Sequence, residues 1–126
     1  TWRIYRLLMA AVIIIPVYLL FCVWLAKNNA ERIADNKPIH HWLNGLLHLS
    51  AAILLYFLKG WQAALALLLL IRTVFDISLN HYRNLPPFHV TLKPKSVVDK
   101  IERLAFSNAF IAKVMYMAAA IILLLN

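Results

Sequence analysis

Two apolar runs of bilayer length stand end to end in residues 38–82. They read PIHHWLNGLLHLSAAILLYFLKG and then WQAALALLLLIRTVFDISLNHY, and they meet at Lys59-Gly60-Trp61. A helix needs about 20 residues to cross about 30 Å of hydrocarbon. Both runs reach that length, and the join is too short for anything but a reversal. The pair predicts a helical hairpin. Such a hairpin sets the outer ends of both runs at one depth, and those ends carry the polar side chains. His40, His41, Asn44 and His48 lie on the first run, and Arg72, Asp76, Asn80 and His81 on the second.

Two further apolar blocks flank this pair. The 126 residues are 63% hydrophobic and only 14% charged, against about a quarter charged in a soluble domain. The fold class read from this is all-α: one polytopic membrane domain over residues 1–126, with spans near 7–26, 39–58, 61–81 and 105–125. The blocks are continuous rather than alternating, which excludes a β-barrel. The first block is long for a signal-peptide core and has no small-x-small site after it, so it reads as a retained span. Pro16 removes a backbone donor inside it and predicts a kink. Cys22 is the single cysteine and has no partner for an intramolecular disulfide.

The connections read as polar surface. Residues 27–37, KNNAERIADNK, form a solvated linker before Pro38, which suits a helix start. Residues 82–95 hold Pro86, Pro87 and Pro94, which argue against helix. Phe88, Val90 and Leu92 alternate with polar residues there, as in a short extended surface segment. Ser96 and Asp99 resemble a capping box opening a helix at Val97. Val97, Val98, Ile101 and Leu104 share one face of that helix. Asp99, Lys100, Glu102 and Arg103 take the other, predicting a short interfacial helix before the last span. Ala112 and the run Ala118, Ala119 and Ala120 allow close helix approach.

The net charge is +8. No basic stripe with interleaved aromatics marks a nucleic-acid surface. The basic residues flank the apolar runs instead, which implies orientation and attraction to anionic lipid. Lys27, Arg32, Lys37, Arg83, Lys93, Lys95, Lys100 and Arg103 lie in the two connections, against Arg3, Arg6 and Lys59 on the other side. This bias predicts a multi-pass protein of the cytoplasmic membrane, with loops 27–38 and 82–104 in the cytoplasm.

Spacing concentrates the polar residues further. His41, Asn44 and His48 fall on one helical face, and so do Arg72, Asp76 and Asn80. Lys113 enters the last span from the same side. Ionisable groups in hydrocarbon face inward and pair. The plainest arrangement is an Arg72–Asp76 pair on one turn, with Lys113 reaching to the interface and the histidines bonding carbonyls. Three functional arrangements compete with it. One is an anion site in one leaflet built from His48, Arg72, Asp76, Asn80 and Lys113, with Arg83 and His41 at its mouth. A second is a zinc or iron site from His41, His48, Asp76 and His81, although no HExxH occurs and Arg72 opposes a cation. A third is proton relay or hydrolysis with Asp76 as base and His48 as acid, although Ser50, Thr73 and Ser78 stand in no nucleophile motif.

The string Arg72, Asp76, Asn80, Arg83, then Pro86 and a later Asp99, follows a helix start bearing His40, His41, Trp42 and His48. In this it resembles small multi-pass membrane proteins of bacteroidete-type bacteria and their phages. It departs from them at Phe88-His89-Val90, where an aromatic–glycine step is expected. The resemblance implies that Arg72, Asp76, Asn80 and Asp99 form a set and brings no chemistry with it. The expected function is therefore an accessory membrane subunit or a binder of anionic lipid or phosphate, within a larger complex or a homo-oligomer. No cofactor is favoured. The alternative is a membrane-embedded enzyme acting on a lipid phosphate.

Overall fold

The computed structural model describes residues 2–89, 100–102 and 108–125. Four helices organise them: α1 (Trp2–Ala34), α2 (His41–Lys59), α3 (Trp61–Tyr82) and α4 (Ala109–Leu125). No strand occurs among the described residues. Three stretches are long and apolar enough to cross a membrane: Val12–Ala34, His41–Lys59 and Trp61–Tyr82, with mean hydropathies of 1.7, 1.3 and 1.7. α4 is apolar but has only 17 residues, about 25 Å at 1.5 Å per residue. Residues 105–107 of the expected fourth span lie outside the described residues. So do the capping pair Ser96 and Asp99, and Val90 and Leu92 of the expected extended segment.

The hairpin forms as its sequence predicts. Gly60 closes α2 and opens α3 with φ +104, a left-handed conformation that a side chain disfavours. Its N–H donates to the Tyr56 carbonyl at 2.8 Å.

The expected linker at 27–37 is not a linker. α1 runs 33 residues to Ala34 with Pro16 inside it, and Asn29 and Ala30 are buried. Alanine, glutamate, arginine and lysine are good helix formers, and a helix has no reason to stop where hydrocarbon does. What stops α1 is local. Asn36 adopts φ 56; Lys37 N–H donates to Arg32 O at 2.8 Å and Asn36 N–H to Ile33 O at 3.1 Å. That pair of bonds is a Schellman closure with asparagine in the left-handed position. α3 ends the same way. Asn84 has φ 58, Leu85 N–H donates to Asn80 O at 2.8 Å, and Asn84 N–H donates to His81 O at 3.1 Å. Pro38 and Pro86 each follow two residues later. α2 accordingly begins at His41 rather than at residue 39.

The start of the last helix also moves. Asn108, expected inside the span, caps it: its side-chain oxygen accepts the Phe110 N–H at 2.7 Å. An asparagine in this position satisfies a donor that the first helical turn leaves open.

α3 is the central element and packs against α1, α2 and α4. Cys22, Leu55, Ala63, Leu67 and Ile71 form the core. Small residues mark the close contacts: Ala26 on α1, Ala52 on α2, Ala66 on α3, and Ala112 and Ala120 on α4 are buried. Leu20, Phe57, Ile122 and Leu125 face outward. Large apolar side chains outside and small ones between helices are what a lipid solvent favours. Connectivity gathers the end of α1, the start of α2 and the end of α3 at one end, called here the polar end.

Candidate functional site

The deepest charged residues form a closed ring. Arg72 and Asp76 sit one turn apart on α3, with Nη1 3.1 Å from Oδ2. Lys113, the fifth residue of α4, donates from Nζ to Asp76 Oδ2 at 2.6 Å and to Glu102 Oε1 at 2.8 Å. Arg72 Nη2 closes the circuit by donating to Glu102 Oε2. Among the described residues two cations therefore face two carboxylates, and these four groups are formally balanced. The side chains are largely enclosed, at 19% exposure for Arg72, 20% for Asp76, 11% for Glu102 and 6% for Lys113. Lys113 Nζ also lies 5.6 Å from the centre of the Tyr116 ring, within cation–π range.

This geometry corrects three expectations. Lys113 does not reach out to the interface, because two carboxylates hold its ammonium inside. Glu102 does not take the solvated face with Lys100; Lys100 is exposed, but Glu102 turns inward. Among the described residues, the cationic excess expected at this depth is balanced by Glu102. Burial alone would raise the Glu102 carboxyl. Hydrogen bonds from Lys113 and Arg72, with their charge, outweigh it and hold that carboxyl below its ordinary range.

A count of deep charges was the available signal for Glu102. Arg72 and Lys113 against Asp76 alone leave one cation without a counter-ion, an arrangement that hydrocarbon penalises. A second carboxylate is required, and the segment leading into α4 carries two candidates, Asp99 and Glu102.

The remaining predicted residues have other partners. His48 Nδ1 and the Tyr18 hydroxyl are 2.9 Å apart, linking α2 to α1, and the His48 ring meets Phe75 edge-on at 6.1 Å. The imidazole thus belongs to a contact with α1 and α3, and Asp76 to Arg72 and Lys113. An acid–base couple of Asp76 with His48 is not assembled. Asn80 is buried, and its side-chain amide donates to Pro87 O at 2.9 Å and His89 O at 3.2 Å. It ties down the loop after α3. Arg83, His41 and His81 are exposed, and Asn44 is half-buried. Among the described residues no three His, Cys, Asp or Glu side chains gather as a metal ligand set, so the combination of His41, His48, Asp76 and His81 is dispersed. The hydroxyls of Ser50 and Thr73 bond the Leu46 and Leu69 carbonyls at 2.7 and 3.0 Å, each along its own helix.

A second feature lies nearer the polar end. A cleft of about 370 Å³ opens between α1 and α3, lined by Val23, Ile77, Ser78, His81, Leu85 and Pro87. Sequence reasoning missed it because it depends on how α1 is rotated against α3. Since Val23 shares this cleft with His81, the later turns of α1 run on past the end of α3.

No family model, curated protein or solved structure matches this chain.

Proposed function

We propose that the chain is a four-span accessory membrane protein that works by binding, with its polar end seated against anionic headgroups in the cytoplasmic leaflet. The observation that carries this reading is the ring of four charged groups, balanced among the described residues. Its four charged groups are engaged with one another, so their role is to fix α4 and the segment at 100–102 onto α3. The charge that attracts anions lies outside the ring, on exposed Lys27, Lys37, Arg83 and Lys100. Each basic residue near an anionic surface contributes about 1 kcal/mol of attraction. The outward apolar faces of α2 and α4 supply the surface for a partner's helices or for a second copy.

Native mass spectrometry of the full chain, released from membranes in a mild detergent, tests this. The expected result is a complex with a protein partner or another copy, retaining anionic lipid. An isolated monomer free of lipid, or one that turns over a lipid phosphate, would overturn it.

A further inference from the structure

We infer that the cleft between α1 and α3 is a site for a single anionic phospholipid, taking the phosphate-bearing headgroup and the first part of one acyl chain. This deepens the proposed binding function and rests on its membrane reading.

The lining is ordered along the helix axes. On α1, Val23 lines the cleft, and Lys27 follows four residues later, on the same face and about 6 Å nearer the polar end. On α3, Ile77 and Ser78 line the cleft and His81 follows Ile77 by the same four residues. Arg83 stands exposed just beyond. Leu85 and Pro87 cover the end of the cleft, held in place by the bonds from Asn80 to the Pro87 and His89 carbonyls. Read outward, the α3 wall changes from apolar Ile77 to the Ser78 hydroxyl and the His81 imidazole, and the exposed cations Lys27 and Arg83 stand beyond the lining.

That gradient matches a phospholipid in its bilayer orientation. Methylenes lie along Val23 and Ile77, and the ester and glycerol region lies beside Ser78 and His81. The phosphate sits at the height of Lys27 and Arg83. Glu31 comes one further turn out on α1, its backbone about 6 Å beyond that of Lys27. Inorganic phosphate would leave the apolar half of the cleft unused. A zwitterionic lipid would bring a cation to walls that already carry positive charge.

The test uses the full chain, purified in mild detergent and stripped of endogenous lipid, by native mass spectrometry. Phosphatidylglycerol, phosphatidylcholine and inorganic phosphate are titrated in parallel. The expected result is one retained phosphatidylglycerol per chain, weaker binding of phosphatidylcholine, and no adduct with phosphate alone. Val23→Trp fills the cleft floor and should abolish the one-to-one adduct. Lys27→Gln and Arg83→Gln, both at exposed positions, should weaken it about fivefold each, the effect of one basic residue at a charged lipid surface. Should Val23→Trp lose its thermal transition, the two exposed variants decide the matter alone. Equal binding of both lipids, adduct formation with phosphate alone, or an unchanged adduct in Lys27→Gln and Arg83→Gln would overturn the site. Partner masses are read in separate spectra before lipid stripping. Loss of the partner with lipid retained therefore counts only against the accessory-subunit reading, and the reverse only against this site.

Discussion

Removing the Lys113 ammonium would leave two carboxylates, Asp76 and Glu102, against one guanidinium. Breaking a buried ion pair in this way costs about 3 kcal/mol or more. Lys113→Leu should lower stability by that order, measured by thermal unfolding in detergent, and adding Glu102→Gln should recover part of the loss. Arg72→Leu and Asp76→Leu should combine with less than additive effect, since each alone removes one of the other's ion partners; a double-mutant cycle reads this directly. Acid should act on the same ring. The folded Glu102 carboxyl lies below its ordinary value of 4.5, so the unfolded chain takes up its proton first as pH falls. The stabilisation is complete above that ordinary value and is lost as pH drops through the folded one. The unfolding midpoint should fall on acidification below about pH 4.5, and Glu102→Gln should make that fall shallower. Helical spacing made the inward face of Arg72 and Asp76 legible, and the cost of charge in hydrocarbon made Lys113 conspicuous. Glu102 was hidden because its own helix face looks ordinary. Its role depends on where α4 docks. The contact between His48 and Tyr18 was hidden for a similar reason: spacing shows which residues of α2 share a face, but not which residue of α1 meets them.

α1 and α3 end where asparagines stop them, rather than where polarity begins. Asn84 holds a left-handed conformation that glycine accepts and a β-branched residue resists at about 1–2 kcal/mol. Asn84→Gly should therefore leave the unfolding midpoint near that of the parent, and Asn84→Val should lower it. Asn108→Ala should remove about 1 kcal/mol by opening the first turn of α4, visible as faster amide exchange at Phe110. The boundaries were only partly readable. α2 and α3 stood out because Gly60 punctuates them, and their observed limits shift by no more than two residues at any end. α1 did not, because its last turns are polar yet helical, and a hydropathy argument places the end at the wrong feature. The recurrence of asparagine two residues before proline, at Asn36 with Pro38 and at Asn84 with Pro86, was the overlooked signal.

At the level of the whole molecule, apolar blocks made a membrane-embedded helical architecture legible, while the number of crossings turns on α4. Single cysteines at Lys37, Lys59 and Leu125, in a Cys22→Ala background, separate the alternatives by labelling with an impermeant thiol reagent. Four crossings put positions 59 and 125 on one side and 37 on the other, with 37 reached only from the cytoplasm. A last helix that does not cross would label at 125 together with 37. The ion ring also bears on how the chain is built. Arg72 and Asp76 sit on one turn, so the third helix arrives with its counter-ion already aboard. Lys113 has none on its own helix and must find one on a neighbour. Biogenesis is thereby ordered: the first three helices can settle in the bilayer as a finished berth, and the last secures its place only by docking there.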